Sequence, residues 1–212
     1  MSGGGGGAGA TAGSVGLAGL EGLYRICVKL YTSAPTEIED DVAVFVPIFH
    51  EWIREGALDL VLLDVADYAH APDSPGIMLI SQEVSFALDR ADGRSGLLAQ
   101  RRVPLEGDAT EVVASTLKQA LRVAALLETD PRVQGKLDFD ASLLRIESND
   151  RLRAPNTDAG FEALRDVAHE AATAVYGGLP VQVSRVANDP RNRLALEVRI
   201  EAARDIHQHL AA

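Results

Sequence analysis

The chain has a single cysteine, three lysines among its 212 residues, and aromatic side chains at only 5% of its length. One thiol, Cys27, excludes an internal disulfide. It falls in an apolar run with no histidine beside it, which predicts a small core residue in a reducing compartment. The scarcity of aromatics leaves Val, Leu, Ile and Ala to fill the interior. No apolar run reaches the roughly 18 residues that a membrane-spanning helix needs. The opening "MSGGGGGAGATAGSVGLAGLEG" also lacks the charged and apolar regions of a secretory leader, so the expected location is cytoplasmic. Reaction motifs are missing too: there is no G-x-S-x-G, no P-loop, no C-x-x-C and no H-E-x-x-H. Gly4, Gly6 and Gly9 match G-x-G-x-x-G by spacing alone, because no strand precedes them and no helix follows.

What is present is an ordinary globular composition, 47% apolar and 24% charged, with a net charge of −11. That charge argues against nucleic acid and anionic membrane as partners, since both need a basic surface. Residues 1 to about 20 are Gly, Ala and Ser without periodicity and predict a flexible tail. Residues 21–203 predict one α+β domain, followed by a short tail over 204–212.

"YRICVKLYT" (24–32) alternates and reads as a strand. Thr36 and Glu39 form a capping box for a helix carrying Ile38, Val42, Phe45, Phe49 and Trp52 on one face, kinked at Pro47 and ended by Gly56. "LDLVLLD" (58–64) and "GIMLI" (76–80) are apolar on both faces and predict interior strands. Residues 83–103 predict a hairpin about Asp92-Gly93, its outer part half exposed. Asp108 and Glu111 open a second helix that stops before Pro131, and a strand lies within 136–148. A third helix starts after Ala154-Pro155-Asn156-Thr157 and ends at Gly177-Gly178. Residues 181–201 predict a final hairpin whose second arm, "NRLALEVRIE", suits a sheet edge. The sum is an α+β fold: a mixed, mainly antiparallel sheet of about seven strands with three helices. The paired openings Ala34-Pro35-Thr36 and Ala154-Pro155-Asn156-Thr157 suggest an internal βαββ duplication, with repeats at 23–104 and 136–202 joined by the helix over 108–129.

Chemistry has three candidate locations. Asp64, Asp67, His70 and Asp73, with Glu83 beyond, offer carboxylates and an imidazole to a divalent metal, although "APDSPG" also explains much of that polarity as turn chemistry. Arg151 and Arg153, between a strand and a helix N-terminus, suit an anion. Phe86, Arg94 and Arg101 on the 83–103 hairpin suit an interface with another chain. His50 reads as a core or interface residue, His169 as surface, and His207 and His209 as a weak metal tract. The expectation is a non-catalytic accessory, scaffold or adaptor subunit, self-associating or bound to a protein partner and requiring no cofactor. The alternative is a metal-dependent hydrolase of small molecules centred on residues 64–83.

Overall fold

In the structure, a computed structural model that describes residues 20–33, 42–68 and 76–210, the chain sets three helices among the strands of one sheet. The elements are β1 (Ile26–Thr32), a 3-10 turn (Val42–Val44) leading into α1 (Phe45–Glu55), β2 (Leu62–Asp67), β3 (Ile77–Ser81), β4 (Val84–Asp89) and β5 (Gly96–Arg101). Then come α2 (Ala109–Thr129), β6 (Phe139–Ser148), α3 (Asp158–Val175), β7 (Val181–Arg185), β8 (Ala195–Ile200) and a 3-10 turn (Ile206–His209). The eight strands run in the order β2-β3-β4-β5-β1-β6-β8-β7, every neighbouring pair antiparallel. The predicted α+β class with three helices holds, with one strand more than expected and, among the described residues, no parallel pair. The two halves meet at β1 and β6: outward from that pair lie β5 and β4 on one side and β8 and β7 on the other.

The helices form where the sequence periodicity places them. Asp108 caps α2 by accepting the Glu111 N–H while the Glu111 carboxylate accepts the Asp108 N–H, at 2.9 and 2.8 Å, the reciprocal pair anticipated for this helix. Val113, Leu117, Ala120, Leu121, Ala124 and Leu127 are fully buried on its inner face. Thr157 caps α3 through the Gly160 N–H, and Leu164, Ala168, Ala171 and Val175 face the core. The helix predicted from Thr36 begins later: α1 starts at Phe45, so Pro47 lies in its first turn, where its missing N–H costs nothing and no kink is required. The Thr36–Glu39 capping box, the Ala34-Pro35-Thr36 opening and the N-terminal tail lie outside the described residues.

All three helices pack on one face of the sheet. α1 lies over β2 and β3, α2 over β1, β4 and β5, and α3 over β7 and β8. The strand residues they cover are ladder partners on one face: Ile26, Val28 and Leu30 on β1, Leu79 on β3, Phe86 on β4, Leu97 and Ala99 on β5, Leu144 and Ile146 on β6. Side chains alternate faces along a strand, so the odd positions of β1 point to the far side.

Three sequence expectations need correcting. "LDLVLLD" is not an interior strand: β2 starts at Leu62 and is the sheet edge, with Val61 and Leu63 56% and 55% exposed. Its apolar run is explained by Leu58, buried in the connection from α1, and by Leu62 and Val65 packed on the core. The 83–103 hairpin is interior, since β4 is paired on both sides and so is β5, and it has no free edge to add to another sheet. The outer position expected of "NRLALEVRIE" belongs to β7, which flanks β8.

Candidate functional site on the uncovered sheet face

Among the described residues no helix covers the second face of the sheet. Ladder partners put one side chain from each strand in a row across it: Ala66, Met78, Ala87 and Leu98 from β2 to β5, then Lys29, Arg145, Glu197 and Ser184 from β1, β6, β8 and β7. One half of the row is apolar and the other polar, with three of its four side chains charged. The face is therefore divided.

Lys29 sits at the boundary, 2% exposed. Its ammonium donates to Asp89 Oδ2 at 2.7 Å, Asp92 Oδ1 at 2.5 Å and the Arg94 carbonyl at 2.7 Å, so each of its three protons has an acceptor. The β4–β5 turn is thereby drawn over the sheet. Tyr31 donates its hydroxyl to Asp92 Oδ2 at 2.8 Å, and the Arg94 guanidinium lies 3.7 Å from the centre of the Tyr31 ring. Gly96 makes room for this: a Cβ there would stand 2.4 Å from the Leu30 carbonyl oxygen and 3.0 Å from Lys29 Cε. Further along, Arg145 pairs with Glu147 at 3.1 Å, Arg193 with Glu147 at 3.2 Å, and Arg199 with Glu197 at 2.7 Å.

Electrostatics follow from these contacts. Burial works against the charge on Asp92, but the Lys29 and Tyr31 hydrogen bonds and the nearby Arg145 outweigh it and hold the carboxyl below its usual range. Burial, with the bond to Asp92, raises the Tyr31 phenol to about 12. A cavity of about 190 Å³ opens beside Lys29, Asp89 and Arg145, with Cys27 on its floor. The Cys27 thiol is pushed up to about 12 by burial and by Glu147, which disfavours the thiolate form.

The sequence candidates fall elsewhere. Asp64 and Asp67 are both on β2 but three residues apart, hence on opposite faces. Asp67 pairs with Ile77 while Leu62 pairs with Ser81, so Asp67 and Glu83 lie at opposite ends of the β2–β3 hairpin, about 16 Å apart along the strand. Asp64 accepts the Val65 N–H at 2.8 Å. His70 and Asp73 lie outside the described residues. Among the described residues no group of three His, Cys, Asp or Glu side chains could hold a metal ion.

Arg153 is engaged by Asp150 at 3.0 Å and by the Glu21 carbonyl at 2.9 Å, fastening the loop before α3, while Arg151 is exposed. Of the proposed interface residues, Arg94 is exposed on the turn. Phe86 is fully buried in the core, and Arg101 is 2% exposed beneath α2, so neither can contact another chain. Arg101 donates to Thr116 Oγ1 and Ser115 Oγ, its Nη1 has no partner, and burial lowers its pKa despite Glu83 nearby.

The residues that organise the face, Lys29, Asp89 and Asp92, were not among the sequence candidates. Their signal was a lysine in mid-strand, flanked by apolar residues, in a chain with only three. Compared with family models, curated proteins and solved structures, the chain finds no match.

Proposed function

We propose that this protein works by association, as an accessory or adaptor subunit whose uncovered sheet face docks onto a partner protein or a second copy of itself. One observation carries the reading. Solvated sheet faces normally alternate polar residues outward, yet on β2, β3 and β5 the partly exposed outward positions include Ala66, Met78, Ile80 and Leu98. The charges across the whole face support it. Lys29, Arg94, Arg145, Arg193 and Arg199 are matched in number by Asp64, Asp89, Asp92, Glu147 and Glu197, in a chain of net charge −11. The acidic excess lies elsewhere, so two such faces can approach without net repulsion, apolar half on apolar half, at the ~10 Å spacing of stacked sheets.

Sedimentation velocity over a range of concentrations, on the wild type and on a Met78→Asp, Leu98→Asp variant, tests the proposal. Both side chains are partly exposed, so the variant keeps the helical core. Concentration-dependent dimer in the wild type and monomer in the variant are the expected results. A wild type that stays monomeric, and that retains from extract the same proteins as the variant, overturns the reading.

A further inference from the structure

On the helical side of the sheet, opposite the face just described, a groove runs between α2 and the 3-10 turn Ile206–His209. It encloses about 530 Å³, within the 300–1,000 Å³ typical of small-molecule sites. Its charged or titratable lining is all basic: Lys118 and Arg122 from α2, His207 and His209 from the turn, with no carboxylate among the described residues. This is unusual for a chain with 31 acidic residues against 20 Lys and Arg. Some arginines elsewhere, Arg54, Arg132, Arg145, Arg165 and Arg185 among them, are held by a carboxylate, whereas Arg102, Arg151 and Arg204 are not, among the described residues.

Lys118 and Arg122 have no ion-pair partner among the described residues. They stand four residues apart on one helix, the spacing at which like charges face each other and destabilise it. His207 is directed away to Glu128, 3.0 Å from its Nε2.

A second, independent observation lies beneath these cations. Gln119 Oε1 and His209 Nε2 are buried without a hydrogen-bond partner, and the buried Tyr176 hydroxyl is in the same state, its ring 4.5 Å from that of His209. Native folds leave few such atoms unpaired, and each calls for an explanation. Gln119 and His209 can turn toward a ligand without breaking any bond at these atoms. The rest of the lining is Thr129 and the apolar Ala57, Ala125, Leu126 and Leu210, the last 42% exposed.

We propose that this groove binds a small organic anion, a phosphate monoester or a carboxylate. Its charged oxygens sit between Lys118 and Arg122 and its apolar body lies on Ala125, Leu126 and Leu210. The guanidinium fork of Arg122 matches two oxygens of either headgroup, and Lys118 adds a point charge. The anion removes the repulsion between the two cations, and its polar groups reach Gln119 and His209.

The test is a titration of ¹⁵N-labelled protein, followed by amide shifts, with phenyl phosphate, benzoate and the neutral benzyl alcohol. At least one anion should give saturable shifts confined to residues 57, 118–126 and 207–210, half-saturating at or below about 1 mM, while benzyl alcohol gives none. The anion that saturates first identifies the headgroup. Lys118→Met with Arg122→Met, both at exposed positions, should weaken binding at least ~tenfold, which is roughly 1.4 kcal/mol, with the remaining amide shifts unmoved. The inference fails if neither anion saturates, if benzyl alcohol produces the same shifts, or if the double variant binds as tightly as the wild type.

Discussion

Replacing Lys29 by Met retains a side chain of similar length and removes its charge. Asp89 and Asp92, whose side chains are 9% and 18% exposed, are then left facing each other without the ammonium, and the Arg94 carbonyl loses its donor. Removing one member of a buried pair costs about 3–5 kcal/mol, because the remaining charge stays desolvated and uncompensated. The Tyr31 hydroxyl and Arg145 remain near Asp92, so the lower end of that range is expected at pH 7.

The pH dependence has a definite sign. The Asp92 carboxyl is held below its usual range in the folded protein. Its contribution to stability is therefore present above the unfolded carboxyl value of about 3.9 and is lost as pH falls through the folded value. The wild type should weaken in acid more steeply than Lys29→Met, and the gap between them should close. Urea unfolding followed by the single tryptophan, Trp52, which is 6% exposed in the core, measures both. Adding Asp89→Asn and Asp92→Asn to Lys29→Met should restore much of the loss at pH 7. A cost below about 1 kcal/mol, or a gap that does not change with pH, refutes the reasoning.

Gly96→Ala places a methyl group against the Leu30 carbonyl and the Lys29 stem and should cost about 1–3 kcal/mol in the same assay. Arg101→Met removes a buried cation whose side-chain partners among the described residues are two hydroxyls, one of which, Thr116 Oγ1, also donates to the Val112 carbonyl. It should leave stability unchanged or raise it by roughly 1–3 kcal/mol, and a clear loss in the urea midpoint would show that Arg101 has a carboxylate partner in solution. Asp108→Ala breaks the reciprocal cap of α2 and should cost about 1 kcal/mol, read as a lower melting temperature. Cys27, buried and with its thiol raised to about 12, should react with a disulfide reagent at pH 8 only at the rate of unfolding, and rapid labelling of the native protein would contradict its placement.

The helices were legible because their signals are local. The α2 cap joins residues three apart, and the buried positions of α2 and α3 repeat with the turn of the helix. Strand positions were legible as strands but not as places in a sheet. "LDLVLLD" was assigned to the interior for its unbroken apolar run, yet whether a strand is an edge depends on which strands pair beside it, and that is decided by distant segments. The same holds for Phe86 and Arg101. Alternation placed them on a strand facing one side, but not under α2. The Lys29 cluster joins residues about sixty apart through the β1–β5 register, in which Lys29 lies opposite Leu98 and Tyr31 opposite Gly96. No spacing in the sequence encodes that register.

The meeting of β1 and β6 at the middle of the sheet carries a consequence for synthesis. On its β6 side, Ile26 finds its cross-strand neighbour at Ser148 and Leu30 at Leu144, more than a hundred residues later. As the chain leaves the ribosome, β1 can close against β5 once Arg101 has emerged, but its other side stays unsatisfied until the sixth strand arrives. Through that interval the nascent chain presents a bare backbone edge bordered by Ile26, Val28 and Leu30, the kind of template on which chains aggregate. Slow folding and a need for shielding during translation are thus built into the order of the strands, and a chain cut after α2 should be far less soluble than the whole.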